Sequence, residues 1–277
     1  MSVIEAIILG TVQGLTEFLP VSSSGHLVIF QTVLGTDNNS ADLMFDSILH
    51  LGTLIAVFIA FKDTIGKLIG AFFHSIFQIF TGKFKAKEST SEQRMIFFLI
   101  LSLTPLFFIL PIKDYVETAY TSIIIVGAAL IITAIFLFIC DKTVAGKITS
   151  KDMTLRQALT VGAVQAFAII PGISRSGSTI AAGILCGFER NFATQYSFIL
   201  SIPTILAGSL LNIMDTSATG NFDYSLIPAY VAGFLAAAAS GFISIKLLQL
   251  LLKTKKFFIF AIYCLTVGLF SLIYGIF

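Results

Sequence analysis

The sequence predicts an all-α integral membrane protein: six full transmembrane helices plus two re-entrant helical hairpins, arranged in two inverted repeats. Three observations predict it. The chain of 277 residues is 56% hydrophobic and 12% charged, with a mean hydropathy of +0.96, whereas a soluble domain carries about 25% charged residues. Six segments are apolar over nearly the length needed to cross a bilayer. Two short polar strings, similar to each other, interrupt other apolar stretches, where polar groups are costly and need a reason to be present.

The six spans are 43–61, 95–112, 121–140, 196–214, 226–250 and 257–277. Four shorter apolar pieces, 3–19, 26–35, 155–170 and 179–188, flank the polar strings in pairs and predict re-entrant hairpins over 3–35 and 155–188. Non-helical backbone at membrane depth is tolerated only where it lines a cavity or is buried in protein. The segment 63–90 is broken by Lys67 and His74 and reads as an interfacial helix or an inward extension of the first span, followed by a Lys-rich loop. The stretch Val3 to Leu19 lacks a basic leading region and contains Glu5, Gln13 and Glu17, which argues against a signal peptide.

Basic residues set the sides. Lys62, Lys67, Lys83, Lys85, Lys87 and Arg94 lie in one connection; Lys142, Lys147, Lys151 and Arg156 in another; Lys246, Lys253, Lys255 and Lys256 in a third. The 113–120 turn holds Lys113 with Asp114 and Glu117, and the 215–225 turn holds Asp215 and Asp223 without a base. The positive-inside rule makes the first three connections cytoplasmic and the last two external, with both termini external.

Residues 10–25 slide onto 162–177 without a gap, with Gly, Val, Gln, Ser, Ser and Gly identical; 45–56 and 196–207 share Ile, Leu, Thr and Ala. Spans 43–61 and 196–214 run in opposite directions, so the halves 1–145 and 150–277 are predicted as inverted repeats whose polar tips meet near the midplane. Cys140, Cys186 and Cys264 have no metal-ligand spacing and read as small lipid- or core-facing residues. No basic patch interleaved with aromatics occurs, which argues against nucleic acid as a partner.

The first tip contains Gln13, Glu17, Pro20, Ser22, Ser23, Ser24, Gly25 and His26. Gln13 and Glu17 are one helical turn apart and share a face. Serines beside a glycine at a helix start offer hydroxyls and free N–H groups, an arrangement that suits a phosphate. The second tip, Ser174, Arg175, Ser176, Gly177, Ser178 and Thr179, offers the same cradle with a guanidinium that binds phosphate oxygens in pairs. Ser23 lies between Glu17 and His26 in sequence, and a serine nucleophile needs a neighbouring base and a cation for the developing charge. Phosphoryl transfer or hydrolysis fits this set. So does a carrier-lipid flippase or proton-coupled anion transporter, because broken helices in inverted repeats are transporter architecture. Simpler readings also stand: close helix packing at the breaks, a structural Glu17–Arg175 ion pair, and His26 as a core histidine. Asp46 and His50, one turn apart on the first span, read as support for the site or a local hydrogen bond.

The run from Gln13 to His26, with Pro171 to Thr179, resembles the undecaprenyl-diphosphate phosphatases of the bacitracin-resistance type. The likeness spans the whole chain. It implies a multi-pass enzyme of the bacterial inner membrane, open to the external face. The enzyme would hydrolyse the diphosphate of a polyprenyl carrier lipid to the monophosphate and inorganic phosphate, recycling the carrier for peptidoglycan and reducing the target of bacitracin. The resemblance implies Glu17, Ser23, His26 and Arg175 as catalytic, with Ser23 the nucleophile. It implies Ser22, Ser24, Gly25, Ser174, Ser176, Gly177 and Thr179 around the phosphate, and a divalent cation, Mg2+ or Ca2+. Gln13 stands where many members carry Glu. An amide is neither a base nor a strong ligand for a hard cation, so Gln13 is assigned to binding, and the cation is expected to be held chiefly by the diphosphate, with Glu17 the nearest carboxylate. The sequence leaves open which group is the base for Ser23, and also the oligomeric state, a homo-oligomer included. The other class of membrane lipid phosphatase also has Ser-Gly-His and Ser-Arg strings but requires a later His and Asp; residues 176–186 contain neither.

Overall fold

A computed structural model describes residues 1–34, 40–85, 88–109, 111, 116, 122–218, 224–252 and 257–276. The expected 113–120 turn apart from position 116, and Lys87, Asp223, Lys253, Lys255 and Lys256, lie outside the described residues. The elements are helices: α1 (Val3–Phe18), α2 (Ser23–Leu34), α3 (Ser40–Ala60), α4 (Lys62–Phe80), α5 (Ser91–Leu103), α6 (Ile123–Lys142), α7 (Leu155–Phe167), α8 (Arg175–Leu185), α9 (Arg190–Ala218), α10 (Ile227–Leu252) and α11 (Phe257–Ile276). Among the described residues the extended pairing is a single bridge between Ile148 and Phe188.

Local chemistry sets several boundaries. Ser2 with Glu5, Thr90 with Gln93 and Thr154 with Gln157 form reciprocal capping boxes at the starts of α1, α5 and α7, each satisfying otherwise unpaired N–H donors. Pro20 and Pro171 stand in the breaks after α1 and α7, where a ring without an N–H cannot continue a helix. Pro105 marks the change of α5 into a 3-10 turn over Thr104–Phe108. The fifth helix therefore begins earlier than expected and tightens before its end.

Segments Ser91–Phe108, Ile123–Lys142, Arg190–Asp215, Tyr224–Leu251 and Phe257–Ile276 are long and apolar enough to cross a membrane, matching five of the predicted spans. The predicted span 43–61 qualifies only together with the next helix: Met44–Ala60 and Lys62–Phe80 are bent by 88°. The segment read from sequence as an interfacial helix or inward extension is thus a continuous helix turned sharply away from α3. Its Phe72, Phe73, Phe77 and Phe80 are exposed, as is His74. The chain is a multi-pass membrane protein.

Packing follows small residues, as it must where lipid is as apolar as leucine. α1 lies on α10, and α7 lies on α5; α6 pairs with α11, and α3 with α9. The close approaches are matched. A Cβ on Gly10 would stand 2.3 Å from the Gly233 carbonyl oxygen, and one on Gly162 would stand 2.3 Å from that of Ser102. Aromatic contacts fill the centre: Phe18 and Phe61 each meet Phe198 edge-on, at 5.3 and 5.7 Å between ring centroids. Tyr196 OH, within 2.7 Å of Ser102 Oγ, joins α9 to α5 in the same core.

Candidate active site

The two breaks between short helices meet. Ser176 Oγ donates to the Leu19 carbonyl at 3.1 Å. Cβ atoms placed on Gly25 and Gly177 would stand 3.1 Å from Gly172 Cα and 3.0 Å from Pro20 Cβ. Gly172 itself has φ +94 and passes against the backbone of Val126 on α6. Thr133, also on α6, fixes the second break from behind: its hydroxyl donates to the Gly172 carbonyl at 3.0 Å and accepts from Ser174 N at 2.9 Å.

The breaks have matching internal wiring. Ser22 Oγ accepts from Gly25 N at 3.3 Å and lies 3.3 Å from Ser24 Oγ. Ser174 Oγ accepts from Gly177 N at 3.1 Å and lies 3.3 Å from Ser176 Oγ. Each serine caps the short helix that follows. Ser22 is the single non-glycine residue with positive φ among the described residues, at +69. Such backbone costs on the order of 1–3 kcal/mol and is held only where its surroundings over-determine it.

Glu17 occupies the meeting point. It is buried, and each of its oxygens is engaged. Arg175 Nη2 pairs with Oε1. Gln13 Nε2 donates to Oε2 at 2.8 Å and Ser23 Oγ donates to the same oxygen at 2.5 Å. Four of the expected residues, drawn from both tips, therefore form one connected group. Ser23, Ser24 and Arg175 keep partial exposure, while Gln13 and Glu17 are buried. Arg175 Nη1 and Gln13 Oε1 have no hydrogen-bond partner among the described residues. A buried guanidinium nitrogen without an acceptor is a place where an anion would be stabilised.

His26 is placed differently from the sequence expectation of a serine bracketed by two bases. Its Nδ1 lies 2.8 Å from the Ser22 carbonyl, and its Nε2 lies 2.7 Å from Tyr263 OH. The Ser22 carbonyl is an acceptor, so Nδ1 bears the proton and Nε2 accepts from the phenol. The imidazole also stacks on the Tyr263 ring at 5.5 Å. Thr179 Oγ1 donates to the Arg175 carbonyl at 2.8 Å and lies 2.6 Å from Ser197 Oγ, so it stands behind the arginine.

The donor set does not make a cation cage. No three His, Cys, Asp or Glu side chains come together among the described residues. Glu17, the carboxylate between the tips, is committed to Arg175, Ser23 and Gln13, whereas Mg2+ or Ca2+ takes six or more oxygens.

Sequence reasoning did not find Tyr263, Thr133 or Ser197; it read His50 as support for the site or a local hydrogen bond, and Nδ1 does lie 2.7 Å from the Asp46 carbonyl. Tyr263 and Thr133 stand in long, mostly apolar helices, with no polar string around them to mark a site. His50 faces the site from α3, with its Nε2 3.7 Å from Glu17 Oε2.

Residues 6–270 match the family described as Bacitracin resistance protein BacA. This chain belongs to the BacA family. Relatives cover it end to end. An undecaprenyl-diphosphatase of Methanosphaera stadtmanae is 41% identical over 100% of this chain and 99% of its own length. One of Methanobrevibacter smithii is 39% identical over 97% of this chain and 96% of its own length. One of Alkaliphilus metalliredigens is 39% identical over 99% of this chain and 100% of its own length. The matched residues include both breaks and every side chain named in the site.

Proposed function

We propose that this chain hydrolyses undecaprenyl diphosphate to undecaprenyl phosphate and inorganic phosphate, recycling the carrier lipid for cell-wall synthesis and conferring bacitracin resistance. The observation that carries the reading is the Ser23 hydroxyl donating to Glu17 Oε2 at 2.5 Å, with Arg175 on the other oxygen. A nucleophile, its base and a cation that orients the base are then in contact. Ser23 Oγ attacks the distal phosphorus while its proton passes to Glu17. The bond to the bridging oxygen breaks, and the polyprenyl phosphate leaves as an anion. Arg175, through Nη1, and the N–H groups at the start of α8 hold the transferring phosphoryl oxygens. Gln13 fixes the Glu17 carboxylate. His26, held by Ser22 and Tyr263, fixes the strained start of α2.

The reading includes a divalent cation, Mg2+ or Ca2+, that arrives on the diphosphate oxygens and would neutralise part of their charge; the protein's own side chains carry the steps above.

The architecture proposed is two inverted repeats, 1–145 and 150–277, with re-entrant hairpins 3–35 and 155–188. One register supports it: Ser2, Glu5, Gly10, Gln13, Ser22, Ser24 and Gly25 repeat as Thr154, Gln157, Gly162, Gln165, Ser174, Ser176 and Gly177, with the same caps and the same close approaches. The packing of α1 on α10 and of α7 on α5 has the same reciprocity. The protein sits in the cytoplasmic (inner) membrane with the site open to the external side, following the loop charges. The isoprenoid lies along the exposed apolar flank.

The deciding experiment is phosphate release from a long-chain polyprenyl diphosphate by the purified protein, with and without chelator. Release that stops in chelator supports both the hydrolysis and the cation. Absence of release from the untreated protein sinks the reading.

A further inference from the structure

Glu17 has a neighbour that the reaction above leaves idle. His50 Nε2 lies 3.7 Å from Glu17 Oε2, the oxygen that accepts the Ser23 hydroxyl. The other ring nitrogen, Nδ1, is 2.7 Å from the carbonyl oxygen of Asp46, one turn earlier on α3. A carbonyl only accepts, so Nδ1 carries the ring proton and the bare side of the imidazole faces the carboxylate. Two acceptors facing each other repel. The contact is favourable when one proton lies between them, as imidazolium with carboxylate or as imidazole with carboxylic acid.

The setting gives this shared proton a direction. The Glu17 side chain is 3% exposed and that of His50 is 29% exposed. Arg175 pairs with the opposite oxygen of Glu17 and has no acceptor site for a proton. His26 has both nitrogens engaged by Ser22 and Tyr263. The charged groups facing His50 are Glu17 from α1 and, behind it, Arg175 from α8; Asp46 precedes it on its own helix and accepts from Gln31 Nε2 at 3.2 Å.

We propose that His50 is the proton exit of the site, a positioning residue that acts through Glu17. The inference rests on the reading of Glu17 as the base of Ser23. In the first half-reaction the Oγ–P bond forms, the bond from the distal phosphorus to the bridging oxygen breaks, and the Ser23 proton reaches Glu17 Oε2. That proton moves to His50 Nε2 and then to solvent, which restores the carboxylate. In the second half-reaction water attacks the seryl phosphate, its proton passes through Glu17 to Oγ as the Oγ–P bond breaks, and phosphate leaves. One proton is released per diphosphate hydrolysed, and His50 carries it out.

The test uses the full-length protein in detergent, a polyprenyl diphosphate and a weakly buffered assay at fixed pH. H50Q keeps a polar side chain of similar reach but takes no proton. It is expected to lower kcat about 10-fold or more while leaving KM unchanged, since positioned proton transfer contributes about 10²–10⁴-fold at most. In H50A, added imidazole is expected to restore most of the lost rate in proportion to its concentration, while the unsubstituted protein is indifferent to it. Wild-type kcat in H50Q would overturn the proposal. So would a loss in both variants that imidazole does not reverse, which is the mark of a packing role. If the unsubstituted protein releases no phosphate, the phosphatase reading falls and takes this one with it. Turnover by the unsubstituted protein alongside an unimpaired H50Q removes the proton exit alone.

Discussion

Ser176 Oγ reaches the carbonyl of Leu19 at 3.1 Å across 157 positions of chain. The Leu19 carbonyl, just past the end of α1, also accepts from Val21 N at 2.8 Å, and the hydroxyl from the first turn of α8 adds a second bond to it. This second bond brings the two helix breaks into register and sets Arg175 against Glu17. The site is therefore a product of how the halves dock, and each half alone lacks part of it.

Ser23→Ala removes the hydroxyl held by Glu17 and is expected to lower kcat about 10³-fold or more, the scale on which loss of a serine nucleophile is felt. Ser23 is only half-buried, so the thermal transition is expected to stay close to that of the parent. Rates within a few-fold of the parent would remove Ser23 as the nucleophile.

Arg175 carries both charge and shape. Arg175→Met leaves Glu17 buried without its cation and is expected to destabilise the fold by about 3–5 kcal/mol. The double variant Arg175→Met with Glu17→Gln is expected to recover most of that loss, measured by thermal denaturation in detergent. Arg175→Lys keeps the charge but loses the planar fork and is expected to cost about 10²-fold in kcat/KM, comparable to removing one oxyanion donor. A fully active lysine variant would show that a point charge suffices.

Two glycines with positive φ separate backbone strain from crowding. Gly82 has φ +65 with open space around it, whereas a Cβ on Gly172 would stand 2.5 Å from the Val126 carbonyl oxygen. Gly82→Ala is expected to cost about 1–2 kcal/mol, from the conformation alone. Gly172→Ala is expected to cost more and also to abolish phosphate release, because the second break would lose its seat on α6. Equal effects of the two in melting and activity would argue against tight docking at Gly172.

Tyr263→Phe strips the donor from His26 Nε2 while keeping the stacked ring. The imidazole is buried, so an unpaired nitrogen is expected to cost about 1–3 kcal/mol. The activity loss is expected to be smaller than for Ser23→Ala. A loss as large as that of Ser23→Ala would place His26 in the chemistry itself.

Much of this was legible in the sequence because membranes make polar residues conspicuous. The breaks, and the placing of Gln13, Glu17, Ser23 and Arg175 in one group, follow from strings that apolar helices would otherwise exclude. What was not legible depends on rotation and crossing. Tyr263 and Thr133 become partners of His26 and Gly172 only because α11 and α6 turn those faces inward, and the apolar residues around them carry no period that says so. The sharp turn between α3 and α4 was hidden as well: the backbone changes direction at Phe61, between two apolar stretches, without a proline or glycine. His26 is close to Ser23 in sequence, but its two ring nitrogens are taken by the Ser22 carbonyl and by Tyr263 OH, a partner 237 positions away that no local pattern announces.

The pairing of Arg175 with Glu17 has one more consequence. Glu17 supplies an anion from the chain itself, in contact with the guanidinium that the proposed function assigns to phosphate. On the proposed reading an incoming headgroup shares the arginine with this internal partner, Nη2 staying on the carboxylate while Nη1 takes a phosphoryl oxygen. On that reading the arginine's charge is never wholly given to the product, and its hold is self-limited, which suits a catalyst whose task is to let go.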